Sequence, residues 1–306
     1  MARRRKNRVL QRIEYTVYRL IAGAVRRASE EGVVRWGARL GGLSRRVLRS
    51  RDRIAFRNLR EAFPSKSEHE LREILDQSWR YFGWEMLEFV RAQKYTPEEL
   101  AERCPFVNAE ILEAARARGK GTVLISAHFG GWEIGGIAIM SLVNDVRTVA
   151  RPLDNELLER ELVASRARTG VEMVDRRRAA RALLKGLAEN AVVILLPDQA
   201  VQPREGVLVP FLGRKAWTTD APAKLALRSG ATIVFAFCIP DRTRHRLEFE
   251  GPIVVDALNE SERNPTALTE RINDVISRRI VAHPELWLWM HDRWKGTGES
   301  SQPHEQ

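Results

Sequence analysis

Apolar residues recur at three- and four-residue intervals along the first third of the chain. Leu10, Ile13, Val17, Leu20, Ile21 and Ala24 form one such series, which predicts a helix over 9–28. Helical spacing continues over 33–48, 52–62 and 68–92, with Pro64 and Ser65 separating the last two. The aromatic run W-R-Y-F-G-W-E-M-L-E-F-V (79–90) reads mostly as core, with some of its rings left to line an apolar channel. From about residue 108 the texture changes. Short apolar runs predict strands at 122–127, 146–150, 171–174, 192–196, 232–238 and 246–250. Helical patterns at 109–118, 132–143, 154–169, 176–189 and 219–229 lie between most of them, and a last one spans 265–282. This alternation implies an α/β fold, with a central mostly parallel or mixed sheet flanked by helices and a helical N-terminal segment. The polar tail, 296–306, is expected to be disordered. There is no internal repeat and no interdomain linker.

Charge changes this picture at one end only. The chain has 306 residues, 44% of them hydrophobic, enough for a full core, and a net charge of +11. Residues 1–60 hold 18 Arg and Lys against four acids, a net +14, so the other 246 residues carry −3. A nucleic-acid enzyme spreads positive charge along its groove, so that class of partner is disfavoured. A basic segment with an apolar stripe fits an anionic membrane surface instead, with Arg8, Arg12, Arg19 and Arg26 flanking the stripe of residues 1–28. The other reading is a helix packed on the core with its arginines in water. The apolar stretch 17–25 is broken by Arg19 and followed by Arg26 and Arg27, well short of the roughly 20 residues a span needs. The basic start resembles that of a signal peptide, but no uninterrupted apolar core follows it. Cys104 and Cys238 lie far apart without metal spacing, which fits a reduced compartment and a structural role for both.

Candidate chemistry centres on G-T-V-L-I-S-A-H-F-G-G-W-E-I-G-G (121–136). A buried strand ends at His128, Gly130 and Gly131 permit a sharp turn, and a helix follows. On one regular helix, positions five apart stand about 140° from each other. His128 and Glu133 therefore meet only across a strand–turn–helix junction. There the carboxylate would fix the imidazole tautomer, leaving the other ring nitrogen to take a proton from an attacking hydroxyl. The alternative is that His128 caps the turn and Glu133 supports the helix N-terminus. Ser126 lacks the G-x-S-x-G elbow, and no H-E-x-x-H or Cys/His cluster is present for zinc. Direct attack by an acceptor hydroxyl is thus favoured over an acyl-enzyme.

The stretch S-A-H-F-G-G-W-E resembles the H-x4-D/E signature of glycerolipid-type acyltransferases. Its flanks are similar to the late acyltransferases of lipid A biosynthesis and the related phosphatidylinositol mannoside acyltransferases. The resemblance covers most of the chain: R-N-L-R-E-A-F-P (57–64), A-R-P-L-D-N (150–155), L-L-P-D-Q-A (195–200), V-P-F-L-G (209–213), Thr218–Thr219 and W-L-W-M-H-D-R-W-K (287–295). It implies transfer of a fatty acyl group from an acyl carrier protein or coenzyme A thioester to a glycolipid hydroxyl, without metal or bound cofactor. The place implied is the cytoplasmic face of the bacterial inner membrane. His128 becomes the base and Glu133 its partner. Arg166, with Arg168 as alternative, would stabilise oxyanion charge or hold a phosphate. Asp198 would orient the acceptor or that arginine, unless it is only a strand-end turn residue. Gln199 beside it and Arg151 are carried over as substrate-binding positions, and Asn155 matches without a role. Two departures stand out. Many members have Asn where Gly131 stands, and many begin with a hydrophobic anchor where this chain has a basic amphipathic segment.

On this reading residues 1–64 are a membrane-associating segment and 65–295 a single catalytic domain on which those helices pack. Phe211, Leu212 and Trp217 are either one wall of an acyl tunnel or ordinary loop packing. Trp287, Trp289 and Trp294 either anchor at the lipid interface or close the core, and Arg293 and Lys295 meet either phosphate or water. Thr219 is placed to cap the helix after it. Two other classes remain open: a non-catalytic membrane-binding protein on the same scaffold, and a hydrolase releasing free fatty acid.

Overall fold

The computed structural model describes residues 7–149, 153–169, 172–174 and 179–297, without the side chains of 165–169 and 173. The expected disordered tail lies largely outside them. Four helices open the chain: α1 (Arg8–Arg27), α2 (Glu30–Val47), α3 (Arg49–Ala62) and α4 (Glu68–Ala92). Ser67 starts α4 with a reciprocal bond to Glu70, which satisfies two end N–H groups at once. Helix α2 lies directly on α4 because glycines remove the side chains between them. A Cβ on Gly37 would stand 2.3 Å from the Trp84 Cα, and one on Gly41 1.9 Å from the Trp79 carbonyl oxygen.

The α/β region follows as α5 (Pro97–Arg103), β1 (Phe106–Val107), α6 (Glu110–Ala117), β2 (Thr122–Ile125), α7 (Trp132–Ala138), β3 (Val146–Val149), α8 (Glu156–Thr169), β4 (Glu172–Val174), α9 (Ala179–Ala188) and β5 (Val192–Leu195). Then come β6 (Val207–Phe211), β7 (Arg214–Thr218), α10 (Ala221–Ser229), β8 (Thr232–Asp241), β9 (Arg244–Val254) and α11 (Pro265–Ala282). Seven strands form one mixed sheet in the order β1-β9-β8-β2-β5-β3-β4. All neighbours are parallel except β8 and β9. Side chains alternate across the sheet. Val123, Ile125, Val193, Ile233, Phe235 and Phe237 face one core cluster, while Leu124, Val192, Ile194, Val234 and Ala236 face the other. Both faces are covered, which is why these strands read as unbroken apolar runs.

Helix α5, strand β1 and the β6–β7 hairpin were not expected from the sequence. The hairpin turns on Leu212 and Gly213, both at positive φ. That two-residue turn usually carries Asn-Gly or Asp-Gly, so Leu-Gly gives a weak signal. Asn273 on α11 donates to the Pro210 carbonyl and the Thr218 hydroxyl and holds the hairpin against the core. Phe211 and Leu212 are therefore core residues rather than a tunnel wall. Trp287, Trp289 and Trp294 are also buried, so they close the core rather than meet lipid. Arg293 is fully buried and donates to the Trp217 carbonyl and the Thr218 hydroxyl, with burial lowering its pKa to about 10. It faces β7 rather than phosphate or water. Cys104 and Cys238 meet as free thiols, sulfur to sulfur at 3.6 Å. No described helix is long and apolar enough to cross a membrane.

Candidate active site

The site forms where β2 and β5 end side by side. Their register pairs Thr122 with Val192 and Ile125 with Leu195. It carries into the loops: the Ser126 amide donates to the Leu195 carbonyl at 3.0 Å. Three residues beyond each last strand partner stand His128 and Asp198. Parallel pairing alone thus delivers an imidazole and a carboxylate, 70 residues apart in sequence, to the same point at the carboxyl edge of the sheet.

The contact is close. His128 Nδ1 and Asp198 Oδ1 are 2.9 Å apart, and the His128 main-chain N–H donates to Asp198 Oδ2 at 2.9 Å. The Trp287 indole N–H donates to the same Oδ2 at 2.9 Å. Asp198 is 1% exposed and the His128 side chain 24%, so the pair is a buried carboxylate behind a reachable ring. Burial raises the carboxyl pKa, but the His128 charge and hydrogen bond, the indole and the main-chain N–H outweigh it and hold Asp198 below its ordinary 3.8. An ionised Asp198 accepts from Nδ1–H, which leaves the lone pair on Nε2. Burial likewise disfavours the charged ring. The Asp198 charge and bond, joined by the Glu133 charge, outweigh that and raise the His128 pKa above 6.5.

The turn after His128 is pinned from both sides. Leu288 N–H donates to the His128 carbonyl and Gly130 N–H to the Leu286 carbonyl, which places Trp287 beneath Asp198. Gly131 N–H donates to the Cys238 carbonyl. Gly130 has φ +59°, and a Cβ there would lie 1.8 Å from that same carbonyl oxygen. A Cβ on Gly131 would meet the His245 ring at 2.7 Å. His245 is itself buried, bonded to Glu85 at 2.5 Å and stacked on Trp84. The space that an Asn would occupy at position 131 is filled in this chain by that pair.

Glu133 sits half-buried in the first turn of α7, where its charge acts on His128. The hydrogen-bonded carboxylate expected from Glu133 on the ring is supplied at Nδ1 by Asp198. Gln199 is half-buried beside Asp198, and the next residue is fixed by Ala200 N–H donating to His291 Nε2 at 3.0 Å. Asn155 gains a role: its carboxamide oxygen accepts from the Leu157 and Leu158 amides at the start of α8, and its nitrogen donates to the Gln11 carbonyl and Glu14 on α1. Arg151 lies outside the described residues. Arg166 and Arg168 lie on α8, but their side chains are outside the description. Thr219 accepts from the Ala221 amide at the start of α10.

Sequence reasoning missed Trp287 as the second donor to Asp198, and it missed Asn58. Asn58 is fully buried and donates to the Trp289 and His291 carbonyls, so R-N-L-R holds the Trp-rich segment against the site. Leu195, Leu196 and Pro197, which precede Asp198 in the chain, join Val149, Leu183 and Leu225 around a largely apolar cavity of about 410 Å³. Glu205, Asp220, Lys224 and Arg228 add charge to its lining.

Known proteins are similar to this one along most of the chain. The sequence profile of the bacterial lipid A biosynthesis acyltransferases matches residues 2–296. The chain is 29% identical over 266 residues to the lipid A biosynthesis lauroyltransferase of Escherichia coli (strain K12), covering 86% of this chain and 85% of that protein. It is 27% identical over 273 residues to the palmitoleoyltransferase of the same organism, covering 87% and 86%. It is 28% identical over 203 residues to the phosphatidylinositol mannoside acyltransferase of Mycolicibacterium smegmatis (strain ATCC 700084 / mc(2)155), covering 64% of each chain. With its histidine held at the strand edge and its similarity end to end, this chain belongs to the bacterial lipid A biosynthesis acyltransferase family and is an acyl-transferring enzyme.

Proposed function

We propose that this enzyme moves a fatty acyl chain from an acyl carrier protein or coenzyme A thioester to a hydroxyl of a lipid A precursor or related glycolipid, at the cytoplasmic membrane face. The observation that carries the mechanism is the bond between His128 Nδ1 and Asp198. It fixes the tautomer with Nε2 as the basic nitrogen. Nε2 takes the acceptor O–H proton as that oxygen attacks the thioester carbonyl carbon. The C–S bond then breaks, and the imidazolium returns the proton to the departing thiolate sulfur. Asp198 and the Glu133 charge stabilise the imidazolium between those steps. In this reading Arg166 stabilises the oxyanion or binds a substrate phosphate, and Arg151 and Gln199 bind the substrate. The apolar cavity beside Pro197 takes the acyl chain.

Purified protein given an acyl thioester and a hydroxylated glycolipid should form acylated glycolipid, and free acid only slowly without acceptor. His128→Ala should lower transfer by about 10²–10⁴-fold, and Glu133→Ala should lower it less. Full activity in both variants would sink the mechanism. Acceptor-independent release of free acid at the full rate would make the enzyme a hydrolase.

A further inference from the structure

Eleven of the sixteen exposed large apolar side chains among the described residues fall within 9–48, so the exposed apolar surface is concentrated rather than scattered. Six belong to α1, whose apolar series faces outward instead of packing on the core. The others lie on or just after α2, inside the 1–64 segment expected to associate with a membrane, where periodicity alone does not show which face is left free. We infer that α2 is a second membrane-docking helix, whose outward stripe Trp36, Leu40, Leu43 and Val47 enters the headgroup region of an anionic bilayer alongside α1.

The arrangement around α2 supports a lipid surface in particular. At about 100° per residue, Val33, Gly37 and Gly41 occupy the face turned to α4. The stripe Trp36, Leu40, Leu43 and Val47 occupies an adjoining sector of about 60°. Arg35, Arg39 and Arg46 occupy the next sector, exposed and without an ion pair among the described residues. Protein core, apolar stripe and cationic flank thus follow one another around the helix. A helix lying at a bilayer boundary has this order, with arginines at phosphate depth beside a buried apolar strip. A protein partner would have to match three unpaired arginines with acids, and the N-terminal excess of positive charge favours an anionic surface.

Both helices are fixed relative to the site. Only Ala28 and Ser29 separate α1 from α2, and both pack on α4. Asn155 ties α1 to the start of α8, which follows β3 beyond the carboxyl edge that carries His128. Docking two helices instead of one fixes the tilt of the body and hence where that edge meets lipid. This inference rests on the membrane placement in the proposed function.

The test is flotation of the full-length protein with vesicles of phosphatidylethanolamine and phosphatidylglycerol. Leu40→Glu combined with Leu43→Glu removes two of the exposed apolar side chains that would enter lipid and adds charge, so partitioning should fall about a hundredfold while α1 is intact. Transfer to an acceptor dispersed in detergent should stay at the wild-type level, which shows that the variant is folded. Unchanged flotation of that variant, with loss only on Ile13→Glu and Leu20→Glu in α1, would overturn the inference. So would a lipid-free dimer that the α2 changes dissociate without altering flotation, because the stripe would then bind a second copy. If wild type transfers no acyl group at all, flotation still decides the role of α2, so the two failures are separable.

Discussion

At the scale of single residues, the site is a histidine bonded to one buried carboxylate, with the Glu133 charge nearby favouring its protonated form as well. Asp198 receives three donors, two of them from His128 itself, so its charge is stabilised by the residue it holds. As a base, His128 must be neutral. Its raised pKa therefore places the acid limb of kcat/KM above pH 6.5, with activity rising as pH climbs through that value. Asp198→Asn removes the largest opposing charge. The acid limb should move to lower pH, while the plateau falls by about 10²–10⁴-fold because the tautomer is no longer enforced. A pH–rate profile of both proteins checks this, and an unmoved limb would separate Asp198 from the titrating group. Residue-level legibility was uneven. His128 stood out because glycines follow a buried strand. The Asp198 contact was legible in principle, since T-V-L-I-S-A-H and V-V-I-L-L-P-D place their polar residue at the same step. It required the pairing register, which a single strand does not state. Trp287 gave no such signal, because a Trp in an aromatic-rich end segment reads as core, and it is core as well as donor.

At the scale of elements, glycine spacing decides how the N-terminal helices seat. Gly37 and Gly41 face the α4 backbone, whereas a Cβ at Gly42 would meet nothing within 4 Å. Gly41→Ala should therefore destabilise the protein by about 1–3 kcal/mol through forced separation of α2 and α4. Gly42→Ala in the same helix should stabilise it by about 0.5–1 kcal/mol through helix propensity. Denaturant unfolding of the two variants side by side reads the contrast, and equal effects would contradict the close-contact account. The helices and main strands followed from periodicity because burial on both sheet faces and one-sided burial of helices write themselves into sequence. The β6–β7 hairpin did not, since Leu212 occupies a left-handed position that usually carries Asn or Gly. Pro210 in β6 further disguised it, tolerable only because the strand belongs to a two-stranded unit.

At the scale of the whole molecule, segments distant in sequence are held on one edge of the sheet. Asn58 on α3 secures the 287–291 segment, that segment places Trp287 under Asp198, and the β2–β5 register brings Asp198 to His128. The apolar stripes of α1 and α2 face outward from the same scaffold. The sequence made the charge asymmetry plain but left open whether the α1 stripe was covered, because amphipathicity is the same for a core-facing and a lipid-facing helix. In the proposed mechanism His128 and Asp198 act as one base across 70 residues of chain. Single-turnover acyl transfer by wild type, His128→Ala, Asp198→Asn and the double variant tests it most directly. The double variant should be no slower than His128→Ala alone, because in that mechanism Asp198 acts through the ring. Losses that multiply in the double variant, or a His128→Ala enzyme that transfers at the wild-type rate, would contradict it.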